Sequence, residues 1–343
     1  MKTRILAVLA TAFATVVAPA IPAVAHQAPA AAVVRAPYLD GGTLHVNGQA
    51  LSIDWGTEPP AADASIGGRG RTSDGRLAVV SREYLDDDGS GDICYRQTMW
   101  FIDTAGTAAR ASGQVTCLYD DDGWAVDLSD SGDTYYESYT DMWGSQVTVT
   151  VKRLDGTRLA QRSFPIGVDV LDVDGNRAVI GGLGGWGFPP KLYVWTFGSG
   201  VRTVVSGTVD GADLKGRVQW RKVKDGYTTA RDLMNPKAVL WKLRFQPVEV
   251  SPDGQRVLGL ATNSKGVSTS VVQVRRLRTG AVIRSLKPAT PWTAGRMDWD
   301  GNGAIFGPRD TAAGSYLVRC PLASSCVRAQ DIESSAGLLV FRD

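Results

Sequence analysis

Beyond its first forty residues the chain is a succession of short runs in which apolar and polar residues alternate with a period of two. Val126-Asp127-Leu128, Val168-Asp169-Val170 and Val248-Glu249-Val250 are examples. This alternation predicts half-buried strands, not helices. β-branched and apolar runs follow shortly after, as in Leu77-Ala78-Val79-Val80, Ala178-Val179-Ile180, Val257-Leu258 and Ala304-Ile305-Phe306. Between the two kinds of run lies a turn, and it occurs six times. The copies are Ser73-Asp74-Gly75-Arg76, Asp130-Ser131-Gly132-Asp133, Asp174-Gly175-Asn176-Arg177, Lys215-Gly216-Arg217, Ser251-Pro252-Asp253-Gly254-Gln255 and Asp300-Gly301-Asn302. A third run comes after a variable loop: Met99–Ile102, Val147–Val151, Leu192–Trp195, Val239–Trp241 and Val271–Val274. Second turns such as Asp155-Gly156 and Thr279-Gly280 then lead to a short fourth run. After the first twenty-five residues there is no strong helical stripe.

The glycines of the six turns are 57, 43, 41, 38 and 47 residues apart. A period of about 45 residues and four strands per unit predict an all-β chain folded as a single β-propeller of four-stranded antiparallel blades. The 303 residues from Gly41 to Asp343 give room for seven blades; six is the alternative. With six copies visible, the seventh must be composite. Leu338–Phe341 would join Thr43–Val46 and Ala50–Ile53, closing the ring and removing free sheet edges. The fourth copy is the exception, because only nine residues separate Arg244 from Gly254, too few for a full fourth strand after Val239–Trp241.

The stretch Val248-Glu249-Val250-Ser251-Pro252-Asp253-Gly254-Gln255-Arg256-Val257-Leu258 resembles the repeat of the TolB-like and WD-repeat-like propellers, in which a Ser-Pro-Asp-Gly turn joins the first two strands. Lys191-Leu192-Tyr193-Val194-Trp195 is similar to a later strand of the same repeat. The resemblance implies a propeller and a protein- or ligand-binding role. Fold-level analogy leaves activity open.

The N-terminus adds a compartment. Lys2 and Arg4 precede an apolar stretch from Ile5 to Val17, and the small-residue site Ala23-Val24-Ala25 follows Pro22. Residues 1–25 are read as a secretory signal peptide, 26–40 as a flexible N-terminal segment and 41–343 as the propeller. No later segment is long and apolar enough to span a membrane. A secreted, monomeric protein is expected. Its mature part carries 35 basic and 35 acidic side chains, which does not support general attraction to nucleic acid. The charges are unevenly placed. Residues 81–141 hold 14 acids against three arginines, whereas 201–247 hold 10 bases against 4 acids and 261–290 six bases and no acid. One sector suits a cation and the other an anionic envelope polymer. Four cysteines fit two disulfides in an oxidising compartment. Cys94 and Cys117 are symmetric about Ala105-Gly106, where a two-residue turn would set them opposite, and Cys320 and Cys326 flank a five-residue loop; sequence-adjacent pairing would staple two hairpins, with other pairings open.

Catalytic signatures are sparse. The mature chain has only His26 and His45, which argues against histidine triads and His-rich zinc sites. Asp86-Asp87-Asp88-Gly89-Ser90-Gly91-Asp92 matches the first half of a calcium loop, with oxygens on Asp86, Asp88, Ser90 and Asp92, but Gln97 stands where the closing Glu would be. A Cys94–Cys117 bond would bring Asp120 and Asp122 near it, making calcium the candidate cofactor. Trp100, Trp195 and Trp241 fall on third-strand positions and are expected in the core. Trp124, Trp143, Trp186 and Trp292 lie in Gly-, Pro- or polar-rich segments expected to be loops, where indoles can stack on sugars or anchor a partner. The reading is a secreted, non-catalytic propeller that binds a protein or an anionic or carbohydrate envelope polymer. The alternatives are a calcium-dependent hydrolase or lyase using carboxylates, and a lectin. An enzyme would show acids converging on the central channel with perturbed pKa values. A lectin would show the loop indoles exposed on one rim.

Overall fold

The computed structural model describes residues 38–340 except 41–42, 47–48, 62–63, 86–93, 118–122, 142–145, 183–190, 288–296, 301–302, 312–313 and 333–338. Seven four-stranded antiparallel sheets stand in a ring as the blades of a propeller. Blade 1 is composite. From the channel outward it consists of Leu339–Val340, Tyr38–Asp40, Thr43–Val46 and Gln49–Leu51. Blades 2 to 7 are continuous in sequence. Their innermost strands are Ser65–Arg71, Gly123–Leu128, Asp169–Asp174, Gly211–Asp213, Phe245–Val250 and Asp298–Trp299. The single helical element among the described residues is a 3-10 turn at Lys224–Gly226.

Ring closure follows the expected C-terminal strand, with Tyr38 paired to Val340 and Leu39 to Leu339. The boundary of the propeller shifts, however. Tyr38–Asp40 belong to the closing blade and not to a flexible segment ending at residue 40. Tyr38 is buried between blades and its ring stacks on His45 with centroids 4.5 Å apart.

The turns predicted from the sequence join the innermost and second strands of blades 2 to 7; in the sixth, Gly301 and Asn302 lie outside the described residues. A buried side chain staples most of them. Thr72 Oγ1 donates to the Arg76 carbonyl at 2.9 Å, Ser129 Oγ to that of Thr134 at 2.8 Å and Ser251 Oγ to that of Arg256 at 3.2 Å. In blade 7, Asp300 Oδ1 accepts from the Ala304 amide at 2.7 Å. These short polar residues hold the turn by bonding locally to its backbone. Neighbouring turns are also tied together, the Ser73 amide donating to the Gly132 carbonyl and the Asp130 amide to that of Val173. Gly132 has no substitute there, since a Cβ would lie 2.4 Å from the Arg71 carbonyl oxygen.

The core is divided among the blade interfaces, one apolar cluster to each of the seven. Between blades 3 and 4, for example, Val147, Val149, Val151 and Phe164 meet Val173, Ile180, Tyr193 and Trp195. Between blades 7 and 1, Phe306, Leu317 and Ile332 pack on Tyr38. The alternation in the strands is thus explained by burial against the next blade.

Blade 5 departs from expectation. It has all four strands: Gly211–Asp213, Val218–Lys222, Thr228–Asp232 and Val239–Leu243. Val239–Trp241 is therefore outermost, not third. The second and third strands are joined by a short turn instead of a variable loop, so the third strand comes early in the chain. Trp241 is buried nonetheless, and its Nε1 donates to the Leu277 carbonyl of blade 6 at 2.7 Å.

Candidate functional site in the central channel

The stapled turns impose a common register on the innermost strands. Aligned on the last residue bonded across each turn, Thr72, Ser129, Asp174, Asp213, Ser251 and Asp300, the position two residues earlier is Gly70, Asp127, Asp172, Gly211, Glu249 and Asp298. Four of these six are acidic, and all four line one cavity of about 300 Å3 in the central channel, together with Arg69, Asp130 and Tyr136. Three innermost strands carry a β-bulge immediately before this position, at Gly68/Gly70, Val170/Asp172 and Pro247/Glu249. A bulge bends the strand and re-aims the next side chain. Here it turns Asp172 and Glu249 toward the channel.

Three acids from successive blades converge most closely. Asp130 comes from the turn of blade 3, Asp172 from the innermost strand of blade 4 and Asp213 from the end of that strand in blade 5. One carboxylate oxygen of each lies within 4.8 Å of the others. Asp172 Oδ2 also accepts from the Leu214 amide at 2.6 Å, and Asp213 Oδ1 accepts from the Gly216 amide. Asp172 is only 8% exposed. Its burial, followed by the negative charges of Asp130, Asp213 and Asp174, holds its carboxyl well above the usual range; the Leu214 amide opposes this only in part. Burial, and then the charges of Asp127 and Asp172, likewise push the Tyr136 phenol well above its ordinary value. Tyr136 is therefore a neutral hydroxyl facing a negative cavity, with no hydrogen bond to another described residue. Arg69 is the one base among the lining residues, 3.7 Å from Asp127.

This arrangement concentrates hard oxygen ligands. Carboxylates without nitrogen or sulfur donors suit Ca2+, Mg2+ or Mn2+ over zinc or copper. A divalent ion would also remove the need for Asp172 to hold a proton.

Most of the residues predicted from sequence are not among those described. Asp86, Asp88, Ser90, Asp92, Asp120 and Asp122 lie outside the described residues, as do Trp143, Trp186 and Trp292. Trp124 is corrected. It is a strand residue, paired with Tyr139, and its buried indole packs among Val80, Met99 and Phe101 between blades 2 and 3. With 5% of its surface exposed it offers no face for stacking a ligand. The cysteines pair as expected, Cys94 with Cys117 at an S–S distance of 2.01 Å and Cys320 with Cys326 at 2.08 Å. The Cys94–Cys117 hairpin reaches that register by a different route. Its turn is longer than two residues, pairing Ile102 with Ala108, and a bulge at Met99/Trp100 restores the alignment. The channel acids were missed, although a carboxylate two residues ahead of the turn staple is visible in Asp127, Asp172, Glu249 and Asp298.

No protein-family model and no curated protein sequence matches the chain. Among solved structures it is similar to a candidate 6-phosphogluconolactonase from Bacteroides uniformis, at 8% identity and a TM-score of 0.48, covering 89% of this chain and 99% of the other. It is also similar to the β-propeller domain of the Trilobed protease from Pyrococcus furiosus, at 9% identity and a TM-score of 0.46, covering 80% and 98%. A prolyl endopeptidase matches at 11% identity and a TM-score of 0.43 over 90% of this chain, which spans 60% of that protein's length.

Proposed function

We propose that this protein is an exported binding propeller whose ligand site is the acidic mouth of the central channel, occupied by a hard divalent cation at Asp130, Asp172 and Asp213. The observation that carries the reading is the meeting of three carboxylates from three blades within 4.8 Å, one of them driven toward its protonated form by burial and by the other two. A calcium-class ion replaces that proton, and Asp127, Glu249 and Asp298 add negative charge around it. Export is supported by the signal-peptide pattern of residues 1–25 and by two cysteine pairs at disulfide distance. The TolB-like and WD-repeat-like resemblance fits a binding role.

The raised pKa of Asp172 also satisfies one condition for a carboxylate-using hydrolase, a buried carboxyl held toward its protonated form. Its burial favours binding, since a substrate has little access to its carboxyl. The test is titration of the chelator-treated mature chain with Ca2+, Mg2+ and Mn2+ by calorimetry, alongside Asp130→Asn and Asp172→Asn. Saturable binding that weakens at least tenfold in both variants is expected. Absence of binding for all three ions at millimolar concentration would sink the proposal.

A further inference from the structure

Beside the channel, at the same turns, blades 5 and 6 form a groove of about 1010 Å3 with the opposite charge. Five bases line it, Lys215, Arg217, Arg256, Arg276 and Arg278, against two acids, Asp232 and Asp253. Both acids are already neutralised. Asp232 pairs with Arg278 at 3.0 Å and Asp253 with Arg256 at 2.8 Å. Lys215 Nζ is held by the Pro252 carbonyl at 2.6 Å. Arg217 and Arg276 are exposed, and neither has a side-chain ion pair or hydrogen bond among the described residues. Two guanidinium groups thus face solvent uncommitted.

The backbone singles out one of them. Among the described residues, each of the six turns shows one residue in the left-handed region. In five it is glycine, at Gly75, Gly132, Gly175, Gly254 and Gly303, and in blade 5 it is Arg217, at φ +56°. A residue with a Cβ is strained there. Glycine, which would relieve the strain, stands next to it at Gly216. An unfavourable conformation kept at a charged, uncommitted side chain points to function over folding.

We infer that this groove binds an extended anionic polymer that carries an oxyanion, phosphate or carboxylate, on each repeat, with Arg217 and Arg276 as its contacts. The guanidinium fork matches either group in a two-point hydrogen bond. The groove is at the upper end of the roughly 300–1,000 Å3 typical of small-molecule pockets, and its charge is spread along two blades, which suits several oxyanions of one chain. Duplex nucleic acid fits poorly. The chain's formal net charge is only +2, and the acidic channel mouth adjoins the groove.

The test uses the mature protein in chelator, so that it is independent of the cation site. Fluorescence anisotropy would follow labelled linear polyphosphate, polygalacturonate and a short duplex DNA, for wild type, Arg217→Gly, Arg276→Gln and the double variant. Salt-sensitive binding to one or both polymers is expected, weakened about tenfold by each substitution. Which polymer binds decides between phosphate and carboxylate. Arg217→Gly relieves the backbone, so a melting midpoint at or above that of wild type separates lost binding from lost folding. No binding to either polymer at low salt, equal affinity in wild type and the double variant, or tighter binding to the duplex than to both polymers would each overturn the inference.

Discussion

Asp172→Asn tests the channel directly, because its effect on stability should change with pH in a defined direction. At 4.8 Å and an effective dielectric constant of ~20, two unit charges repel by about 3.5 kcal/mol. Asp130 is exposed and its share is screened by solvent, so a net penalty of roughly 1–2 kcal/mol for ionising Asp172 is the working magnitude. The folded-state pKa of Asp172 is raised. Its contribution to stability is therefore complete below the unfolded carboxylate pKa, near the ordinary 3.8, and is lost as pH climbs through the higher folded value. Asparagine keeps an oxygen for the Leu214 amide, and its NH2 group can donate to Asp130 or Asp213 without taking up a proton. The variant should match wild type at pH 4 and exceed it at pH 8 by about 1–2 kcal/mol, on the order of 2–4 °C in melting midpoint. Scanning calorimetry of both proteins in chelator at the two pH values makes the measurement. Calcium should then raise the midpoint of wild type and leave the variant unmoved. If the variant is instead less stable at pH 8 by a similar amount, Asp172 is an ionised acceptor held by its hydrogen bond, and the crowding argument fails.

The two disulfides close loops of different length, 23 and 6 residues apart in sequence. Loop-closure entropy assigns them about 3.4 and about 2.2 kcal/mol. In urea unfolding, the Cys94→Ser/Cys117→Ser pair should lose more stability than Cys320→Ser/Cys326→Ser; the reverse order would refute the entropic account. The pair of half-buried Arg319 and buried Asp300, 2.5 Å apart, should cost about 3 kcal/mol when Arg319→Ala removes the charged partner of the carboxylate and leaves it the Ala304 amide. The exposed Arg76–Asp74 pair at 2.6 Å should cost under about 1 kcal/mol when Arg76→Ala breaks it, and the same urea series compares the two. Trp124→Ala should destabilise by about 3–5 kcal/mol through a cavity between blades 2 and 3. Circular dichroism melts showing no loss would place that indole outside the core.

Much of the fold could be read from the sequence, because in a propeller each strand reports its own burial. Val126-Asp127-Leu128 alternates since Val126 and Leu128 pack on blade 2, and Ser129-Asp130-Ser131-Gly132 announces the bend after it. Tyr38–Asp40 escaped notice since three residues carry no periodicity. The third strand of blade 5, Thr-Thr-Ala-Arg-Asp, has no apolar run at all. It is a strand because Val218–Lys222 and Val239–Leu243 pair with it on both sides, and its threonines are buried by that context and not by their own hydrophobicity.

The channel acids were hidden for a different reason. Asp127 and Glu249 look like the solvent-facing half of an alternating strand, and on an outer strand they would be. On the innermost strand that face looks into the channel, where equivalent positions of other blades meet it. Asp130, Asp172 and Asp213 are each about one ~45-residue repeat apart, a spacing at which no compact metal loop has ligands. A search for clustered acids therefore settles on Asp86–Asp92, where the carboxylates are adjacent in sequence. Closing the ring converts the repeat period into spatial adjacency, so in this architecture the informative distance between ligands is one blade. Scanning for acidic residues that recur at a fixed offset from the turn would have found Asp172 with Asp127, Glu249 and Asp298, and the turn acids one blade to either side lead from there to Asp130 and Asp213; scanning for short motifs could not.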